Sequence, residues 1–255
     1  MRSIWTGAIG FGLVNIPIKI YSATEESSLN LDMLDKKDHE RIRYVRVNEK
    51  SGKEVPWENI VKGYNYDGKI VVLDDKDFAK ASAEKTKLIE ITEFVSESEI
   101  NSMYYETPYY LQPAKGGEKP YVLLREALKK AGMAGICTYV MRNRESLAII
   151  KPVGEALVLN KIRFAEEIRD VKKLDLPDSK VKAEELKMAV ALIKQLTAKF
   201  DIEKYKDKYT DALMKVIQAK AKGKKVESPK LRVTHQAKTD LMEQLRESLK
   251  KKKAS

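Results

Sequence analysis

Cysteine is almost absent from this chain of 255 residues: Cys137 stands alone, so no disulfide can form within it. A reducing cytoplasm is the expected setting. Histidine is nearly as scarce. His39, His235 and Cys137 show none of the paired spacings of a zinc site, and no metal is expected. Long apolar runs are missing too: none approaches the roughly 18 uncharged residues of a membrane helix. The opening MRSIW lacks the apolar core of a secretory signal. There is no G-x-x-x-x-G-K-[ST] loop, which argues against P-loop nucleotide hydrolysis. The glycines of GAIGFG at 7–12 have the wrong order for a dinucleotide fingerprint, and no helix follows them. No cofactor is expected. Cys137 lies in an apolar run with no candidate base, and reads as a small buried hydrophobe rather than a nucleophile.

What the chain has in abundance is charge. Charged residues make up 34%, with Lys+Arg 49 against Asp+Glu 38, a net of +11 and a pI near 9.4. Such a surplus suits a polyanionic partner, because each cation near a phosphate displaces a condensed counterion; a merely solvated basic surface is the plain alternative. The distribution is uneven. Residues 223–255 hold 10 Lys+Arg against 4 Asp+Glu, a net of +6, so over half the surplus sits in the last eighth of the chain. This is the pattern of a basic tail on a moderately basic body.

The first 160 or so residues read mainly as strand. Segment 4–21 is rich in β-branched and aromatic residues; Gly7, Gly10 and Gly12 predict bends or bulges, and Pro17 an edge or a break. Further strands are predicted at 41–47, 69–73, 87–95, 109–111, 136–141, 147–152 and 156–159, with turns at Ser51-Gly52, Asp67-Gly68 and Gly116-Gly117. Short strands at this spacing point to a barrel or curved sheet. Short helices are predicted at 74–81 and 120–131, the second stopped by Gly132, and Ser96 to Glu99 fits a capping box. After Pro177 the period changes to 3.6. Segment 183–200 aligns Leu186, Val190, Ile193, Leu196 and Phe200; segment 203–222 aligns Tyr205, Tyr209, Leu213 and Val216. Neither helix has the bulk for a core of its own, so both are expected to pack on the barrel or on another chain. A linker over 223–229 leads to a last amphipathic helix from about Thr234, ending in Lys250, Lys251, Lys252 and Lys253.

Two features admit other chemistry. Asp178 followed by Glu185-Leu186-Lys187 loosely mimics the carboxylates of a metal-dependent nuclease. That chemistry needs the Glu and Lys side by side on a strand, whereas here they fall in a helical stretch. Asp74, Asp75 and Asp77 read as a helix start, where acidic side chains are favourable. The tyrosines at 104, 105, 109 and 110 could stack on bases, but alternating tyrosines on a strand more often line a barrel wall half-buried.

One resemblance organises these observations. The opening RSIWTGAIGFGLVNIPIK at 2–19 resembles the first strands of the bacterial Ku family. So do VKGY at 61–64, YYLQP at 109–113 and KPYVLLREAL at 119–128; FDIEKYKDKY at 200–209 is similar to the segment closing the Ku core. Ile202 departs from the proline expected there, which touches only the start of that helix. The resemblance implies a mixed β/α fold: a β-barrel core with a bridge excursion, two copies interlocking into a ring, then C-terminal helices and a basic tail. In this chain the core and bridge would span 1–182, the helical segment that closes the core and supports dimerisation 183–222, and the linker, docking helix and tail 223–255. It further implies a homodimer that binds double-stranded DNA ends without reading sequence, catalyses nothing, and recruits and stimulates ligase D in non-homologous end joining, in the bacterial cytoplasm beside the nucleoid. DLMEQLRESL at 240–249 resembles the ligase contact, placing Leu241, Met242, Leu245 and Leu249 in the docking stripe; a helix folded back on its own chain is the alternative. Charge beside strand ends and loops nominates Lys36, Lys37, Arg41, Arg43, Lys115, Lys119, Arg142 and Arg144 for DNA, with Lys250 to Lys253 as tail contacts. A general RNA- or DNA-binding protein is the competing reading, though no RRM-type aromatic motif or glycine-rich clamp loop is present. A metal-dependent nuclease is the weaker one.

Overall fold

The computed structural model describes residues 1–81, 87–141, 144–224 and 241–251. The chain divides into two compact units, Met1–Glu26 with Leu31–Asp170, and Ser27–Asn30 with Val171–Ser255.

The first unit is built on a closed seven-stranded barrel. Its strands are β1 (Trp5–Phe11), β2 (Val14–Ser22), β5 (Leu88–Ser96), β6 (Tyr105–Pro113), β7 (Met133–Met141), β8 (Arg144–Val153) and β9 (Ala156–Ile162), in spatial order β1-β2-β6-β9-β8-β7-β5. Every pairing is antiparallel except β1 with β5, which closes the barrel in parallel through Ala8↔Leu88. β2 shows why these sequences make strands. Ile16, Ile18 and Ile20 are fully buried, while Lys19 between them and Asn15 before them face water and Pro17 is half-buried, the period-two pattern of a sheet with one wet side. Cys137 joins this core and is fully buried, as expected of a small hydrophobe. Its thiol pKa is pushed far up by desolvation.

Gly12 turns the chain between β1 and β2 at φ +56°, as expected, but Gly7 and Pro17 act differently from the expectation. β1 runs unbroken through Gly7, because a Cβ there would lie 2.1 Å from the Trp5 ring and 2.3 Å from Lys87 O. The glycine permits close approach rather than a bend. Pro17 neither breaks β2 nor lies on a sheet edge: the β6 ladder begins only at Ile18↔Pro113, so the missing N–H falls where no β6 partner is needed. Real bulges occur in β5 between Ile91 and Glu93 and in β6 between Tyr105 and Pro108.

Helix α2 (Glu118–Ala131) lies against the barrel through Tyr121, Leu124 and Leu128, and Gly132 ends it in the left-handed conformation. It starts two residues earlier than predicted, with Gly117 before it. The Tyr121 hydroxyl donates to Leu111 O at 2.7 Å and accepts from Leu157 N at 2.7 Å. It is thus inserted into the last rung between β6 and β9.

The excursion between β2 and β5 has a different character. It contains a two-stranded sheet, β3 (Lys62–Tyr66) with β4 (Lys69–Leu73), and helix α1 (Asp75–Ala81). The acidic start of α1 caps as expected: Asp74 accepts from Lys76 N and Asp77 N. The strand predicted at 41–47 does not form. That stretch makes only single bridges, Leu34↔Arg41 and Val47↔Glu54, because no neighbouring segment runs beside it long enough to build a ladder. No described residue from 24 to 81 is buried. Trp57 is 71%, Tyr64 65% and Ile70 75% exposed.

The second unit holds α3 (Ala183–Leu196), α4 (Lys208–Ala221) and α5 (Leu241–Lys251). The first two are shorter than predicted. α3 ends where the Thr197 hydroxyl bonds back to Ile193 O at 2.8 Å, and α4 begins where Asp207 accepts from the Tyr209 and Thr210 amides. Ile202 sits in a single 3-10 turn ahead of α4. The predicted α3 stripe of Leu186, Val190, Ile193 and Leu196 is exposed in the single chain. The half-buried residues of α3 are instead Glu185, Met188, Ala189, Leu192 and Gln195, and α3 packs against α5.

Candidate nucleic-acid interface

Of the nominated cations, Lys36 and Lys37 lie in a turn of the excursion, shaped by Asp35 accepting from Lys37 N at 2.8 Å. Arg41 is engaged by Asp32 at 2.9 Å, and Arg43 is exposed nearby. Lys115 is exposed in the turn after β6, and Lys119 in the first turn of α2. Among the described residues Lys36, Lys37, Arg43, Lys115 and Lys119 have no carboxylate within ion-pair distance. Such cations are not already engaged by a carboxylate of the described residues. Arg142, Lys252 and Lys253 lie outside the described residues, as do His235 and most of the linker. Lys250 is exposed on α5, and Lys251 ends that helix.

Arg144 opens β8 opposite Met141. The register carries this end of the barrel from Leu147 through Ile162 to Tyr105, the first residue of β6. Lys115 and Lys119 follow the last residue of β6. The strand does not bring the two groups together; it holds them at opposite ends of the barrel, at about 3.3 Å of separation per residue.

Around Arg144 the structure gathers two cations that the sequence reading passed over. Lys161 on β9 pairs with Glu106 on β6 at 2.8 Å, and Arg163 donates to Tyr105 O at 2.8 Å and to Met103 O at 3.2 Å. The Glu106 carboxyl is held below its ordinary range by the hydrogen bond from Lys161, assisted by the charges of Lys161, Arg163 and Arg144 and opposed by partial burial. Three cations thus surround the Glu106 carboxylate, and Glu167 stands 4.0 Å from Arg144. The available signal was the alternation Lys161-Ile162-Arg163 at the end of a predicted strand. Tyr105 and Tyr109 are half-buried in β6, as expected of barrel-wall tyrosines, and Tyr110 is exposed.

The nuclease pattern takes a structural role. Glu185 sits in the first turn of α3 and accepts from Lys182 N at 3.0 Å, and Asp178 lies in an exposed loop. Among the described residues no cluster of His, Cys, Asp or Glu could hold a metal ion. Nor is any described helix long and apolar enough to cross a membrane.

The barrel sequence decides the kinship. Residues 10–188 match the family model described as the Ku70/Ku80 beta-barrel domain. The chain belongs to the Ku family. It is 47% identical to a protein of Opitutus terrae, covering 86% of this chain and 80% of the relative. Likeness to a Coxiella burnetii protein is 38% over 98% of this chain and 95% of the relative. A Bacillus subtilis protein is 41% identical over 88% of this chain and 73% of its own length. All three bear the name non-homologous end joining protein Ku.

Proposed function

We propose that two copies of this chain form a ring that holds a double-stranded DNA end by its phosphates and presents it to ligase D for non-homologous end joining. The observation that carries the ring is the excursion. Lone two-stranded hairpins are marginal in water, yet β3–β4 bears Tyr64, Tyr66 and Val71 on one face and Ile70 and Val72 on the other, all exposed. Apolar surface of that kind marks an interface. A second copy interlocking through the same segment, as an isologous two-fold contact, would cover both excursions at once. The bare stripe of α3 and the helical segment around it supply a further surface for the same dimer.

The DNA reading rests on the charge and on kinship with proteins named for end joining. Phosphate contacts position a protein without reading bases, which suits a factor that must accept any broken end. Lys36, Lys37, Arg43, Lys115 and Lys119, which have no ion-pair partner among the described residues, and the cluster of Arg144, Lys161 and Arg163 are the contacts we assign. Arg41, Arg142 and the terminal lysines 250–253 complete the proposed set. Breaking or forming the phosphodiester bond is left to the ligase. Recruitment falls to α5, through Leu241, Met242, Leu245 and Leu249.

The test is a binding series with one duplex sequence in three forms: open-ended, hairpin-capped at both ends, and covalently closed as a circle. Ring threading predicts strong binding to the open form and weak binding to the circle. Equal affinity for both would refute it.

A further inference from the structure

We infer that α5 rests on α3 of its own chain with its ligase-docking stripe covered, so that ligase must displace α3 to engage it. This rests on the docking reading of α5 and adds a regulatory step to it. Three observations carry the inference. Met242, Leu245 and Leu249 recur at helical spacing on α5 and are the half-buried ones, while Leu241 is exposed. On α3, Glu185, Met188, Ala189, Leu192 and Gln195 form a second stripe, distinct from the bare Leu186, Val190, Ile193 and Leu196. The two helices pack together, and Gln195 Nε2 donates to Leu249 O at 3.5 Å, joining the half-buried stripes.

A partner's groove would need the same apolar side chains that α3 now contacts. An 11-residue helix is also too short to persist alone in water, so α3 both covers α5 and keeps it helical. If α5 is free only a fraction of the time, its apparent dissociation constant for ligase exceeds the intrinsic value by the inverse of that fraction. A resting population of about one-tenth free would weaken recruitment about tenfold.

The experiment uses the full chain and purified ligase D. Leu192→Glu, which puts a charge in the α3 stripe, should tighten ligase binding on the order of tenfold. Leu245→Glu should abolish binding. If Leu245→Glu abolishes binding but Leu192→Glu leaves it at the wild-type value, docking through α5 stands and the covering by α3 is overturned. If Leu245→Glu binds like wild type, the docking reading fails and takes the gating with it. A second variant controls for folding. Gln195→Cys with Ser248→Cys, an exposed neighbour of Leu249 outside the docking stripe, puts two thiols beside the contact for a flexible bis-maleimide, while Cys137 stays buried and unreactive. Cross-linking should lock α5 down and weaken ligase binding at least tenfold relative to the same protein left without cross-linker. Failure to cross-link, cross-linking between chains on a denaturing gel, or unchanged binding when locked would each overturn the inference.

Discussion

Replacing Tyr121 by Phe isolates a single oxygen in the barrel. That hydroxyl is buried and makes two hydrogen bonds of 2.7 Å, donating to Leu111 O and accepting from Leu157 N. Its burial pushes the phenol pKa up, so it stays neutral at working pH. The phenylalanine ring fills the same space and leaves the packing with Leu124 and Leu128 intact. What is lost is the bridge in the last rung between β6 and β9, and both backbone groups are left buried without a partner. A net hydrogen bond is worth about 1 kcal/mol, and a stranded buried amide adds roughly 1–3 kcal/mol, so the expected loss is about 3 kcal/mol. For a unit of this size that shifts the melting temperature by roughly 6–12 °C. Urea unfolding followed by near-ultraviolet circular dichroism measures it, with an unchanged m-value showing that the folded state is the same. A loss below about 1 kcal/mol would mean that water replaces the hydroxyl and that the rung is not sealed.

Other consequences are equally direct. If the proposed dimer forms through the bare hairpin, Ile70→Lys should give a monomer in light scattering where the wild type gives a dimer, with the far-ultraviolet spectrum of the barrel unchanged; a dimeric variant would move the interface elsewhere. Lys115→Ala or Lys119→Ala should each lower the salt slope of DNA binding by about 1, equally on all sequences. Because Glu106 has a depressed pKa when folded, its contribution is complete above the unfolded value of about 4.3 and lost as pH falls through the folded one. The stability difference between wild type and Glu106→Gln should therefore be flat from pH 5 to 7 and vanish in stronger acid, as read by denaturant midpoints across pH. Cys137, buried with its thiol pKa raised, should resist alkylation at pH 8 until denaturant is added.

Much of the barrel was legible because burial writes itself into period-two patterns. The strands at 87–95, 136–141, 147–152 and 156–159 all form, and α2 presents Leu124 and Leu128 inward as its spacing requires. The excursion was less legible. Segment 41–47 has strand-like residues, but a strand needs a neighbour, and pairing is a property of the fold rather than of local composition. In the helices, period 3.6 identified an apolar stripe on α3 but could not say which of two stripes the chain itself would cover. The stripe it identified is left bare, while Met188 and Leu192 face α5. For the candidate interface, charge beside strand ends nominates Arg144, and only the β6–β9–β8 ladder shows that Lys161 and Arg163 stand near it. That Lys115 and Lys119 lie at the opposite end of the barrel from Arg144 is likewise a matter of strand register, which charge alone does not carry.

Encirclement is tested most directly by closing the exits. The protein is loaded on a linear duplex, both ends are then blocked with bulky protein adducts, and the complex is challenged with salt high enough to screen phosphate contacts. A ring has no route off and stays bound, while complexes with unblocked ends are released. Release at the same rate whether or not the ends are blocked would contradict the account.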